Sequence, residues 1–230
     1  MNILNQKRIM VFAAHPDDEI LGVGATLAKY RENGAVVKTI ILGEGITSRD
    51  IIRVEKLREE EISSLKGNIT EANLELGISD IYCYDLPDNR FDQVDLLDIV
   101  KIIEKEIESF KPDTIFTHWE NDLNIDHQLT FKAVMTATRP MCNYHVKDIL
   151  VFETVSASEW NFGRQFNPNC YICIDDQIEK KIKALQHYTS EMRDFPHPRS
   201  IEGIKILAQK RGMESGCSYA EAFQIIRMLR

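Results

Sequence analysis

Alternating strand-like and helix-like patterns constrain the fold of this chain more than any other feature. Apolar, β-branched runs alternate with segments whose apolar residues recur at helical spacing. The strand-like runs lie at 8–14, 35–42, 80–84, 113–117, 148–155 and 170–174; the helical patterns lie at 20–33, 52–76, 94–110, 128–137, 177–192, 201–210 and 219–229. Strand–helix–strand units require parallel strands joined by crossovers. We therefore predict an α/β fold, Rossmann-like and doubly wound, with a mostly parallel sheet and helices on both faces.

Length and charge restrict the class of protein. A chain of 230 residues buries a substantial core as one unit, so we predict a single domain over residues 1–230. No apolar run approaches the roughly 18 residues of a membrane span, and no signal-peptide pattern precedes the first strand, so a cytoplasmic location is expected. The net charge of −8, without a basic stripe, argues against nucleic acid as a partner.

The cysteines give no sign of a disulfide framework or a zinc site. Their number is odd and their spacing irregular, which predicts reduced thiols. Cys170 and Cys173 form a Cys-x-x-Cys pair, but within a strand-like run their sulfurs point to opposite faces, so we assign them a structural role. The five cysteines are Cys83, Cys142, Cys170, Cys173 and Cys217.

A dense polar cluster follows the first strand, at His15-Pro16-Asp17-Asp18-Glu19. Three carboxylates and an imidazole within five residues repel one another unless a positive group joins them, and a divalent metal is the simplest such group. His15 and Asp18 are three residues apart, so a tight turn can aim both at one point, with Asp17 beside the metal. The alternative is that an aspartate only caps the helix and His15 is an ordinary surface histidine.

A second polar segment, 118–127, follows the fourth strand at the same edge of the predicted sheet. His127 heads a helix there and is the best candidate for a third ligand, since three protein ligands leave zinc an open position. Asp126 is a candidate partner for a metal-bound imidazole, because such imidazoles commonly donate their other N–H to a carboxylate.

The segment Ala14–Glu19 resembles the signature of the PIG-L/LmbE-type zinc N-deacetylases, which act on N-acetylglucosamine-like groups. The similarity runs along most of the chain. The resemblance implies an LmbE-like fold and one Zn²⁺ per chain, held by His15, Asp18 and His127, with Asp17 as general base. It also implies a small-molecule N-acetylated sugar as substrate and self-association into a homo-oligomer of undefined number.

One position departs from the family pattern. Family members often carry a histidine three residues before the last ligand, where this chain has Asn124. The group that stabilises the oxyanion or donates a proton is then Asn124 itself, or His118 on the same loop, or it is missing. The alternative for His118 is that it only caps its strand.

Two arginines near the second strand are candidates for binding substrate. Arg49 lies in the loop Gly43–Asp50, whose glycines suit close approach of a ligand; an ordinary mobile loop is equally consistent. Arg58 lies near the start of the helical pattern 52–76, and in the family an arginine and a glutamate from this region commonly reach the site, here Arg58 and Glu61. The alternative is that these charged residues form a solvated helix face.

Three further candidates lie in later loops. Asp88 and Arg90 follow the third strand, in a turn that resembles a family segment bordering the sugar, although Asp-Asn after proline is also plain turn chemistry. Arg199 follows two prolines that stiffen its segment, so it is either aimed at an anionic group such as a phosphate or part of a surface turn.

The leading function is therefore a zinc hydrolase that removes the acetyl group from an N-acetylated amino sugar, either free or part of a sugar nucleotide or glycoconjugate. The alternative is a catalytically weak, metal-containing sugar-binding protein of the same fold, which the departure at Asn124 keeps open. A dinucleotide-binding enzyme is a weaker third hypothesis, because Gly22-x-Gly24 lies inside a helical pattern.

Overall fold

The computed structural model describes residues 8–49, 58–141 and 144–230. The strands are β1 (Arg8–Ala13), β2 (Val36–Gly43), β3 (Asp80–Leu86), β4 (Thr114–His118), β5 (Asp148–Phe152), β6 (Cys170–Cys173) and β7 (Ala220–Met228). The helices are α1 (Asp18–Glu32), α2 (Glu59–Glu75), α3 (Leu96–Phe110), α4 (Ile125–Ala137), α5 (Ile178–Gln186) and α6 (Ile201–Ser215). None of the helices in these three ranges is long and apolar enough to cross a membrane.

All seven strands belong to one sheet, in the order β3-β2-β1-β4-β5-β7-β6. The pairs from β3 to β5 are parallel, while β7 runs antiparallel to both β5 and β6. From β1 the chain winds outward to β2 and β3, then returns to place β4 and β5 on the other side. The direction of winding therefore reverses between β1 and β4, and their carboxyl ends border the crevice where open α/β sheets bind ligands.

Helices cover both faces of the sheet, which confirms the predicted α/β class. Along β1, Ile9 and Val11 face a core shared with α1, α2, α5 and α6, whereas Met10 and Phe12 face a core shared with α3 and α4. A strand buried on both faces is apolar at every position, which explains the uninterrupted run in the sequence. Gly22 serves packing, because a Cβ there would lie 2.1 Å from the ring of Phe152 on β5.

The helix predicted at 219–229 is wrong, since these residues form β7. Alanine, glutamate and leucine there favour helix, but pairing with both β5 and β6 overrides this weak propensity. Glu221 accepts backbone N–H groups of Ala25 and Thr26 in α1, at 3.2 and 2.7 Å, and pairs with Lys181 Nζ at 2.6 Å. This buried ion pair joins β7 to α1 and α5.

Two other expectations need correction. Cys173 and Cys217 form a disulfide with their Cα atoms 5.8 Å apart, so the expectation of reduced thiols is wrong for this pair. The chain returns beside the end of β6 just before β7, and sequence spacing gives no hint of that approach. The helix predicted at 177–192 ends at Gln186. Cys142 and the predicted helical residues 52–57 lie outside the described residues.

Candidate metal centre

The two polar segments meet at the carboxyl ends of the adjacent strands β1 and β4. His15 lies in the turn between β1 and α1, and Asp18 is the first residue of α1. Backbone N–H of His15 donates to Asp18 Oδ2 at 2.9 Å, which closes this turn. His118 ends β4, and His127 lies in the first turn of α4. The sheet therefore brings together side chains that are about a hundred residues apart in sequence.

Three side chains converge on one point. Asp18 Oδ2 lies 3.4 Å from His15 Nδ1 and 3.2 Å from His127 Nε2. One ligand atom from each of these residues lies within 4.8 Å of the other two, so the group can hold a metal ion. His15 is 9% exposed, and Asp18 and His127 are 1% and 2% exposed, so the group is almost entirely removed from water.

A carboxylate lies beside the outer nitrogen of each imidazole. His15 Nε2 lies 3.0 Å from Asp126 Oδ2, and His127 Nδ1 lies 3.1 Å from Asp122 Oδ1. When only the outer nitrogen of each ring carries a proton, the inner nitrogen beside Asp18 has a lone pair that can bind a metal ion. Two imidazole nitrogens and one carboxylate oxygen form the mixed donor set that hydrolytic zinc takes, with a position left open. The residues present therefore suit the metal that the sequence predicts.

The electrostatics of the centre also favour a cation. Burial opposes a charge on His15, but hydrogen bonds to Asp126 and Asp18 raise its pKa to about 10. Burial likewise opposes a charge on His127, but Asp18 and Asp122 raise its pKa to about 9. For Asp18, burial is outweighed chiefly by His127, which holds the pKa of this carboxyl well below the usual range. Without metal the centre takes up protons, and a divalent ion supplies the same positive charge.

Asp17 lies beside this group and is engaged elsewhere. Arg199 Nη1 donates to Asp17 Oδ2 at 2.9 Å, so the arginine predicted to face a phosphate contacts this carboxylate. Burial raises the pKa of Asp17 well above its usual range; Arg199 opposes the shift and Asp18 adds to it. The backbone of Asp17 has a φ of 101°, a left-handed conformation in which aspartate and asparagine are enriched among non-glycine residues.

Sequence reasoning gave Glu19 no role, yet it is fully buried behind Asp17. Its carboxylate accepts hydrogen bonds from Asp17 N at 3.0 Å, Asn73 Nδ2 at 3.0 Å and Tyr188 Oη at 2.6 Å. Burial raises the pKa of Glu19 to about 7, against the effect of the Tyr188 and Asn73 hydrogen bonds. The available signal was an acidic residue among the otherwise apolar residues that follow Asp18. This network ties the turn to α2 and to the segment after α5.

His118 is buried and neutral. Its Nε2 accepts the backbone N–H of Ala14 at 2.9 Å, which places the ring proton on Nδ1, 3.4 Å from Thr154 Oγ1. Burial, and next the neighbouring His127, lowers its pKa well below the usual value. The rings of His118 and His127 are stacked with centroids 3.9 Å apart. In this arrangement His118 supports the turn and the ligand rather than presenting a proton to the centre.

Asn124 caps α4. Its side-chain oxygen accepts the backbone N–H of Asp126 at 2.8 Å, and its amide nitrogen donates to Asn89 Oδ1 at 2.8 Å. Asp126 also accepts the backbone N–H of Phe91 through Oδ1, at 2.9 Å. Asn124 and Asp126 therefore connect the start of α4 to the loop after β3.

The residues predicted to bind substrate have different surroundings in the structure. Asp88 is buried at the centre, with Oδ1 3.4 Å from His15 Nε2 and Oδ2 accepting the backbone N–H of Ser48 at 3.2 Å. Arg58 donates to Glu61 at the start of α2, at 2.6 Å. Arg90 is half-buried and directly precedes a short 3₁₀ turn. Arg49 ends another such turn, and its side chain lies outside the described residues.

Two residues that sequence reasoning missed lie behind His127. Asp122 Oδ2 accepts the hydroxyl of Ser158 at 2.7 Å, and Ser158 Oγ accepts the backbone N–H of Thr154 at 2.8 Å. On the same loop after β5, Ser156 Oγ accepts Nε of Arg199 at 2.7 Å. Hydroxyl residues are common in loops, so no sequence pattern pointed to these contacts.

Comparisons with known proteins find a family and a shared fold. The sequence profile of the PIG-L family, described as GlcNAc-PI de-N-acetylase, matches residues 10–138. Diacetylchitobiose deacetylase of Thermococcus kodakarensis is 24% identical over 236 residues, covering 96% of this chain and 83% of the relative. N,N'-diacetylchitobiose deacetylase from Pyrococcus horikoshii superposes with a TM-score of 0.74 at 21% identity, covering 97% of this chain and 85% of that one.

The same fold also carries another reaction. GalB, the 4-carboxy-2-hydroxymuconate hydratase from Pseudomonas putida, superposes with a TM-score of 0.76 at 19% identity, covering 96% of each chain. Structural likeness at this level of identity therefore shows only the fold, and the reaction depends on the side chains at the candidate metal centre.

Proposed function

Because the chain belongs to the PIG-L family of de-N-acetylases, we propose that it is a zinc-dependent hydrolase that removes the acetyl group from an N-acetylated amino sugar. The observation that carries the proposal is the convergence of His15 and His127 on Asp18 at the reversal point of the sheet. The name of the Thermococcus relative supports an N-acetylated sugar as substrate class. We assign His15, Asp18 and His127 as the ligands of one ion per chain.

A zinc ion held there supplies a Lewis acid that lowers the pKa of water and polarises the acetyl carbonyl. Asp17 takes a proton from the water that attacks the acetyl carbon. Since Arg199 holds Asp17 Oδ2, we assign the proton to Oδ1. Arg199 also opposes the effect of burial and so favours the ionised form that a base requires.

The C–N bond then breaks, and its nitrogen needs a proton to leave as an amine. We assign this second transfer to the protonated Asp17 as well, because His118 has its proton on Nδ1, directed at Thr154. Asn124 contacts Asn89 and Asp126 N, and it enters the reaction only if substrate displaces those partners. The products are acetate and the free amino sugar.

Asp88 is the substrate-binding residue that we propose with most support, because its buried carboxylate adjoins His15 and can accept a sugar hydroxyl. Arg49, Arg58 and Arg90 stay predictions, as does phosphate binding by Arg199. We also propose one domain over residues 1–230, because β7 completes a sheet that contains β1. Self-association and a cytoplasmic location stay predictions, and sedimentation of the purified chain checks the first.

The deciding experiment measures acetate and free amine released from a panel of N-acetylhexosamines by the zinc-loaded chain, with the metal-stripped chain as control. The panel holds N-acetylglucosamine, its β-1,4-linked dimer, a nucleotide-linked form and an inositol-linked form. Equal amounts of acetate and amine, formed only with metal, support the deacetylase. Sugar binding without acetate release across the panel, in a chain that retains metal, would instead support the binding-protein alternative.

A further inference from the structure

A carboxylate five residues before His127 lies beside the ring of that residue. Asp122 is fully buried, and its Oδ1 lies 3.1 Å from His127 Nδ1. Oδ1 also accepts the backbone N–H of Asn124 at 3.0 Å, so Asp122 is fixed relative to the start of α4. The His127 ring has two edges: Nδ1 faces Asp122, and Nε2 faces Asp18 at the metal centre. The contact at Nδ1 therefore decides which nitrogen carries the ring proton.

Ser158 fixes Asp122 from the other side. Ser158 Oγ lies 2.7 Å from Asp122 Oδ2 and accepts the backbone N–H of Thr154 at 2.8 Å. Because that N–H occupies an acceptor position of the hydroxyl, and because Asp122 can only accept when ionised, the Ser158 proton is directed at Asp122. Thr154 N–H therefore donates to Ser158, and Ser158 donates to Asp122. The Asp122 carboxylate can then only accept, and its Oδ1, 3.1 Å from His127 Nδ1, favours a proton on that nitrogen.

We propose that Asp122 and Ser158 are positioning residues of the metal centre, which hold His127 as the Nδ1-protonated tautomer with Nε2 free to bind the ion. The inference rests on the proposed metal site, and it adds two residues that act on the ligand without touching the ion. His15 is supported differently, through Asp126 in the sequence motif. Asp122 and Ser158 support the imidazole of His127, and they connect it to the loop after β5.

The loop itself supplies a matched control. Thr154, Ser156 and Ser158 alternate along it, and each hydroxyl has a different partner. Ser156 Oγ bonds to Arg199 and lies outside the chain of contacts that ends at His127. Ser156→Ala therefore removes the same atom from the same loop while leaving the support of His127 in place.

The test measures the Zn²⁺ dissociation constant by competition with a chelating indicator, in the full chain and in four variants. Asp122→Asn is expected to weaken Zn²⁺ binding about 10- to 100-fold, the range seen when an outer partner of a metal-bound histidine is removed. Ser158→Ala should weaken it less, since the Asp122 carboxylate remains. The double variant should match Asp122→Asn, because Ser158 acts only through Asp122. Ser156→Ala should bind Zn²⁺ like the parent.

The visible absorption spectrum of bound Co²⁺ reports the geometry of the ligands, and a general loss of protein stability does not change it. If His127 is reoriented, the visible absorption of bound Co²⁺ changes in Asp122→Asn and Ser158→Ala and stays parental in Ser156→Ala. Thermal unfolding of the metal-free variants checks that each one folds. Should Asp122→Asn fail to fold, Ser158→Ala, which deletes a single oxygen, decides the matter.

The outcomes separate the two proposals. A parent chain that binds no Zn²⁺ would overturn the metal site and this inference with it. A parent that binds Zn²⁺, with folded Asp122→Asn and Ser158→Ala variants of unchanged affinity and unchanged Co²⁺ spectrum, would overturn the positioning role alone. An equal loss of affinity in Ser156→Ala and Ser158→Ala would overturn it too, because the loss would then come from the loop as a whole.

Discussion

Replacing Asp17 by asparagine is expected to abolish most of the turnover while leaving the metal in place. Asparagine has the same shape, tolerates the φ of 101° at this position, and keeps an oxygen that can accept from Arg199 Nη1. Asp17 also lies outside the three residues that can hold a metal. The variant therefore removes the proton acceptor and changes little else.

The size of the effect follows from that role. A positioned general base contributes about 10²- to 10⁴-fold to the rate. Converted at 1.36 kcal/mol per tenfold, this raises the barrier by roughly 3–5 kcal/mol. Stability should change little: the variant loses the ion pair with Arg199, but it also no longer buries a charge beside Asp18. We expect the unfolding free energy of the metal-free chain to change by about 1 kcal/mol or less, the size of one ordinary hydrogen bond.

The assay measures kcat for acetate release and bound zinc in the same preparation. Asp18→Asn at the next position is the matched control, because it makes the same chemical change on a proposed ligand and should lose metal and activity together. If Asp17→Asn keeps both its zinc and a near-parental kcat, Asp17 is not the base. If it loses zinc as Asp18→Asn does, Asp17 belongs to the ligand set, and the assignment of roles within the turn is wrong.

Three further predictions concern the metal and the core. His15→Ala and His127→Ala should each purify with far less zinc than the parent by elemental analysis, and full retention in both would exclude them as ligands. Zn²⁺ affinity should fall as pH falls, because protons compete with the metal for the two imidazoles of the centre, whose pKa values in the metal-free chain are raised to about 10 and about 9. Competition titrations at pH 6 and 8 check this, and equal affinities would contradict it. Lys181→Met should lower the free energy of unfolding, measured by urea denaturation, by about 3–5 kcal/mol, because it leaves the buried Glu221 without its cation. Lys180→Met is the control: it removes the cation of the exposed Lys180–Glu32 pair and is expected to cost about 1 kcal/mol or less.

The parallel part of the fold was predictable because its signals are local and agree with one another. A doubly buried strand is apolar along its buried length, as β1 is from Ile9 to Ala13, and strand–helix alternation leaves few topologies. The meeting of the segments that contain His15 and His127 was expected from that topology, since parallel strands end at one edge, and the family resemblance named the ligands within them. β7 was not predictable in this way, because its residues favour helix and Glu221 resembles a solvated position unless Lys181 is known to lie opposite.

The hydrogen-bond partners of the ligand side chains could not be predicted from the sequence, for a different reason. Asp122 precedes His127 by five residues and Ser158 follows it on another loop, and neither belongs to a motif with a mechanism of its own. Hydrogen-bond partners of this kind are set by how two loops lie against each other. Sequence periodicity reports which face of an element is buried, and it carries no information about the relative placement of loops.

The position of β7 in the sheet has a consequence for how the chain is made. On a ribosome, all three proposed ligands and the five parallel strands emerge before β6, and β7 emerges last. Until then the outer edge of β5 has unpaired backbone groups, and β6 lacks the one strand that it bonds to in the described sheet. Exposed strand edges recruit other chains. Nascent chains that stall before residue 220 would therefore carry the three proposed ligands on a sheet with open edges, so the last strand of the described sheet protects the chain from aggregation and supplies none of those ligands.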